Sequence, residues 1–182
     1  MSARREGAVV RGVTTAGLGL AVAGAVVVAT FASEETVARL AICETPARAS
    51  LAPYAYVGAS LALALLYWAA SAAARRGAPR RGLATVLIVV SVVGIVFSGW
   101  IASLAVGFWS AAGQPSTPEI VRVGILFVIA FVGPAIASLV AAILVGVAGS
   151  RAIPVLLPPI AVLVVTAASA GVLVLSLVVS CT

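Results

Sequence analysis

Cys43, in the stretch LAICETPAR, and Cys181, in the closing run VLVLSLVVSCT, are the only two thiols of the sequence. Their separation excludes a CxxC redox motif. A lipid-modified Cys43 is disfavoured because Ile42, rather than a small residue, precedes it. The chemistry left to the pair is a disulfide, two separate thiols or a bond to another chain. Of these, a Cys43–Cys181 bridge is the expectation, provided both fall on an oxidising face.

The other reactive groups are notable for the types that are missing. The sequence has no His, no Lys, no Asp and no Asn, and its one Met is Met1. Haem in a membrane bundle is held by His or by His with Met, and zinc and copper need His or several Cys. Ser–His and Cys–His catalysis lack their base. No cofactor, no metal and no enzymatic activity is therefore expected, the remaining catalytic option being Arg, Glu and Ser at an interface.

The elements that carry these residues follow from composition. Of 182 residues 63% are hydrophobic and 9% charged, and the mean hydropathy is +1.26. A soluble domain carries about a quarter charged residues and leaves about a third of its chain area in water, so this composition demands lipid as solvent. The net charge of +6 comes from eleven Arg set in short gaps between apolar runs. That placement reads as membrane topology and not as a nucleic-acid face.

A span needs about 20 apolar residues, and five stretches qualify: 8–31, 51–74, 83–109, 120–148 and 152–180. The runs are unbroken, which excludes the alternating strands of a membrane barrel. The fold class is all-α, a polytopic integral membrane helix bundle of five transmembrane helices, with 1–182 as one membrane domain. Arg4, Arg5, Arg75, Arg76, Arg80, Arg81 and Arg151, with Arg11, fall on one side of such a bundle; Arg39, Arg48 and Arg122 fall on the other with most of the Glu. The positive-inside rule then puts the N-terminus and the Arg-rich loop 75–82 in the cytoplasm and the C-terminus outside. Both cysteines land on the exported face, where a bridge is permitted and, in the chain-entropy model, stabilises by about 4–5 kcal/mol. Residues 1–32 are read as a retained span, its apolar run exceeding the 7–15 residues of a signal peptide; cleavage is the alternative.

In the external loop 32–50, Ser33 is placed to cap a short helix with Glu34 and Glu35 in its first turn and Glu35 spaced to pair with Arg39, ended by Pro46. Tyr54 and Tyr56 are expected at the outer headgroups, Tyr67 and Trp68 near the inner ones, and Phe108 and Trp109 at the outer end of the third span. Pro134 is expected to kink the fourth helix, and Pro154, Pro158 and Pro159 to bend or partly unwind the entry to the fifth.

Small residues at helical spacing mark close helix contacts in lipid: Gly99, Ser103 and Gly107 on the third span, Gly133, Ala137 and Ala141 on the fourth, and Gly17, Ala21 and Ala25 on the first. Whether these stripes pack within the chain or against another subunit stays open. No ionisable residue falls at mid-membrane, so proton relays and gating charges are disfavoured. The expected function is a non-catalytic multi-pass protein acting by helix packing, as an accessory or scaffolding subunit. The alternative is a small channel or transporter using the fourth and fifth helices with Ser91, Ser98, Ser103, Thr166 and Ser169, in which Ser98 and Ser169 meet across the bundle. Expected partners are the lipid bilayer and a membrane protein or a second copy. The expected location is the plasma membrane of a prokaryote with a GC-rich genome, since Arg fully replaces Lys.

Overall fold

The computed structural model describes residues 2–41, 51–76, 80–113, 117–147 and 154–181, and they form five helices: α1 (Ser2–Ala41), α2 (Ala52–Arg75), α3 (Arg80–Gly113), α4 (Thr117–Val147) and α5 (Leu157–Cys181). There is no strand among the described residues. In a sequence this apolar, intrahelical bonding satisfies the backbone wherever water is absent.

The two ends of α1 and the start of α5 depart furthest from the sequence reading. α1 runs unbroken from Ser2 to Ala41, so the separate short helix expected after Ser33 is instead the last turns of α1. The segment ASEETVARLA has neither Gly nor Pro, and its Ala, Glu, Arg and Leu are good helix formers, so nothing stops propagation at the end of the apolar run. α5 begins at Leu157, five residues later than expected, after a turn in which Leu157 N–H donates to Pro154 C=O at 3.1 Å. Pro154 lies outside the helix, and Pro158 and Pro159 occupy its first turn. There the missing N–H groups have no intrahelical partner to lose, so these prolines begin the helix and do not unwind it. Pro134 lies inside α4, which continues on both sides of it.

Side-chain contacts fix the helix directions. α1 and α3 run parallel: Gly19 faces Val86, Val26 faces Gly94 and Thr30 meets Ser98, at a nearly constant offset in number. α3 and α4 run antiparallel, through Ala84–Gly146, Ser91–Ser138, Gly94–Ala135 and Val106–Gly124. α2 opposes α3, because Tyr67 meets Ser91 and Ala74 meets Arg80. For α5, Gly133 of α4 faces Ser169. A parallel α5 would put Leu157 about 40 Å along the axis from Val147, beyond the reach of the nine residues between them, so it too runs antiparallel to α4.

The helices thus alternate up and down. They close a ring in the order α1, α2, α5, α4, α3, with α4 also touching α1 and α2 across it. α2 and α3, though consecutive, barely meet.

Polarity is arranged inside out. Val22, Val26, Leu63, Tyr67, Leu87, Val145 and Val162 are buried among many Ala, and Thr30, Ser71, Ser91, Ser98 and Ser138 are buried with them. Leu20, Leu65, Val93, Val96, Trp100 and Phe108 face outward. An outer surface richer in large apolar groups than the interior suits lipid. Three described segments are long and apolar enough to cross a membrane: Gly12–Ala32, Tyr54–Arg75 and Arg80–Phe108; the described apolar stretches of α4 and α5, Val132–Val147 and Leu157–Val172, are shorter.

Candidate functional site

The centre of the bundle holds three hydroxyls from three helices. α2 delivers Tyr67 on the buried stripe Leu63–Tyr67–Ala70–Ala74, where the small residues beyond it leave room for a ring. α3 delivers Ser91 one turn after Leu87, and α4 delivers Ser138 beside Ala137, Ala141 and Ala142, all fully buried. Tyr67 Oη lies 2.7 Å from Ser138 Oγ, and Ser138 Oγ lies 2.8 Å from Ser91 Oγ. The third edge, Tyr67 to Ser91, is longer at 3.4 Å.

One proton per hydroxyl fixes the direction of these bonds. Ser91 Oγ donates to Leu87 C=O, 2.7 Å away on its own helix. The Ser138–Ser91 bond must then run from Ser138, and the Tyr67–Ser138 bond from Tyr67. The chain reads Tyr67 to Ser138 to Ser91 to the Leu87 carbonyl. It ends on an amide oxygen that has no proton to hand on, so the arrangement joins three helices and carries no charge. Ser71 Oγ reinforces α2 by donating to Tyr67 C=O at 2.7 Å.

Two further polar contacts join other pairs. Thr30 Oγ1 donates to Val26 C=O at 2.9 Å, so the 3.0 Å bond to Ser98 has Ser98 donating, and it ties α1 to α3. Phe31 and Phe97 meet beside it, edge to face, with centroids 6.3 Å apart. Tyr56 Oη donates to Thr166 C=O at 3.3 Å, linking α2 to α5. Ser169 Oγ donates to Val165 C=O at 2.9 Å. Among the described residues no buried side-chain nitrogen or oxygen is without a hydrogen-bond partner.

The small-residue stripes divide. Gly133, Ala137 and Ala141 are buried, and a Cβ at Gly133 would collide with Ser169 Oγ, so any larger residue there forces a shift between α4 and α5. Gly99 is half-buried, and Ser103 and Gly107 are exposed. A Cβ at Gly99 or Gly107 meets no described atom within 4 Å, and Ser103 Oγ donates back to Gly99 C=O at 2.8 Å. On α1 the close contact comes from Gly19, against Val86, while Gly17 and Ala21 face outward.

Ser98 meets Thr30 and not Ser169, because parallel α1 stands beside α3 at that level. Tyr67 is fully buried and sits about 12 Å along α2 from Arg75, so it is a core residue and not a headgroup anchor. Trp68 and Tyr54 do face outward. Spacing alone did not single out Thr30, and it assigned Tyr67 to the inner headgroups and not to the core. For Tyr67 the signal was present in the small and apolar residues three and four positions to either side. Arg75, Arg76, Arg80 and Arg81 are exposed together where α2 ends and α3 begins, and Arg80 Nε donates to Ala74 C=O at 3.0 Å. Arg4 and Arg5 belong to the first turns of α1, at the same end by helix direction. Cys43 and Arg151 lie outside the described residues, as does the side chain of Cys181, and with them the proposed bridge.

The fold and its buried polar contacts define an all-helical protein whose apolar helices are compatible with a membrane. No family model, curated protein or solved structure matches the chain.

Proposed function

We propose that this chain is a non-catalytic, five-span membrane protein that acts as an accessory or scaffolding subunit through helix packing, in the plasma membrane, with its N-terminus cytoplasmic and its C-terminus outside. The observation that carries the reading is the hydroxyl chain Tyr67–Ser138–Ser91, which terminates on Leu87 C=O and joins three helices without presenting a group to a substrate. Length is consistent with five spans: α4 has 31 residues and α5 has 25, about 46 and 38 Å, against a hydrocarbon core of about 30 Å. The Gly99–Ser103–Gly107 face of α3, exposed at Ser103 and Gly107, is the surface offered to a partner helix.

The test is purification from native membranes in mild detergent, without reductant, followed by mass spectrometry of the co-purifying proteins. A stoichiometric partner is expected. A lone monomer or homo-oligomer, coupled with solute flux in lipid vesicles, overturns the reading in favour of a small channel or transporter.

A further inference from the structure

We propose that the guanidinium cluster at the α2–α3 tip, Arg76 and Arg81 foremost, binds the phosphate of an anionic phospholipid headgroup. The proposal rests on the membrane reading above. Four arginines, Arg75, Arg76, Arg80 and Arg81, fall within seven residues, and all are exposed. Their placement is set by the two helix ends. Arg76 caps α2, its backbone N–H donating to Ala72 and Ala73 C=O, and Arg80 reaches back to Ala74 C=O. Arg80 is thereby drawn onto α2, and Arg76 and Arg81 are the outer pair of the tip.

Among the described residues no ion pair engages Arg76 or Arg81. Of the five acids, Glu34, Glu35 and Glu119 lie on helix ends at the opposite end of the bundle, and Glu44 falls in the segment outside the described residues. Glu6, in the first turns of α1, is the one acid on a described helix at this end, against Arg4, Arg5, Arg11 and the four tip arginines. The first turn of α3 holds no acid, although that helix end favours one, and carries Arg80 and Arg81 in its place. Arg76 and Arg81, adjacent to further positive charge, are the pair left to meet an external anion.

Along α2, Arg75 ends the apolar segment Tyr54–Arg75 and Arg76 follows it, so the cluster lies at headgroup depth, where guanidinium groups pair with phosphate through two parallel N–H bonds. Outward-facing Leu65 and Trp68 on the same helix lie at acyl-chain depth, so one lipid molecule can meet both surfaces.

The test uses the full chain in mild detergent, exposed to an equimolar mixture of phosphatidylglycerol and phosphatidylcholine with identical acyl chains, with bound lipid counted by native mass spectrometry. Phosphatidylglycerol is expected to be enriched roughly five-fold or more. The enrichment should fall toward parity in the R76Q/R81Q variant, persist in R39Q at the opposite end, and decline with added salt in the unmodified chain, a readout independent of any variant's folding. Equal retention of the two lipids, or equal loss in R39Q, overturns the proposal. Displacement by millimolar inorganic phosphate overturns the lipid as ligand and assigns the cluster to free phosphate. Alkaline carbonate extraction from pure phosphatidylcholine vesicles separates the two levels. A chain stripped from the vesicles refutes the membrane reading itself, and a retained chain without lipid preference refutes this proposal alone.

Discussion

Tyr67 Oη and Ser138 Oγ stand 2.7 Å apart across 71 residues of sequence, both fully withdrawn from the surface. Because Ser138 passes its own proton to Ser91, the tyrosine is the donor, and three helices share one directed chain of bonds. In lipid such bonds contribute about 0.6 kcal/mol on average and up to about 1.7, since the dissociated helices also find partners.

Tyr67→Phe keeps the ring and removes the first donor. It is expected to destabilise the bundle by about 0.5–1.5 kcal/mol in reversible unfolding in mixed micelles followed by tryptophan fluorescence. Ser138→Ala should cost somewhat more, having two bonds to lose. The double variant should fall short of the sum; strict additivity would show that the hydroxyls do not act as one chain.

Gly133→Ala places a methyl against Ser169 and should destabilise by about 1–3 kcal/mol through overpacking. Ser169→Gly in the same chain should recover most of that loss. Gly99→Ala, by contrast, meets no described atom and should be neutral or stabilising by up to about 1 kcal/mol. Thermal unfolding of the four proteins side by side distinguishes a glycine packed against a neighbour from one with open space at its Cβ position.

Gly99→Leu with Gly107→Leu fills the Gly99–Ser103–Gly107 face of α3 at two positions where a Cβ meets no described atom within 4 Å. The expected result is an unchanged unfolding midpoint with loss of the co-purifying partner. Retention of the partner would remove this face from the interface.

A periplasmic reporter fused after Thr182 should be active. Without reductant, Cys43 and Cys181 should resist maleimide after denaturation and react once reduced. Parallel α1 and α5 finish at the same end of the bundle, with Ala41 and Cys181 as their last residues. Prompt labelling without reductant would sink the bridge.

The apolar content, the helical class, the number and order of the helices and the gathering of Arg75, Arg76, Arg80 and Arg81 at the same end as the start of α1 were readable from the sequence. Each depends on local composition, and in lipid a long apolar run has little choice but to be a helix. The limits of α1 and α5 were readable less well. The end of an apolar run marks where lipid stops, whereas a helix stops at Gly, at Pro or for want of good formers, and 32–41 supplies none of these stops. Tertiary structure decided which face of each helix points inward. Ala, Val and Leu surround every helix here, so the contrast between apolar and polar that betrays the buried face of a soluble helix is missing. Gly133 and Gly99 look alike in sequence, yet one lies against Ser169 and a Cβ at the other meets no described atom within 4 Å. Likewise Tyr67 reads as a headgroup anchor until Ser138 and Ser91 converge on its hydroxyl. Only the ring order of the helices, set by close packing of the small residues, determines which hydroxyls meet.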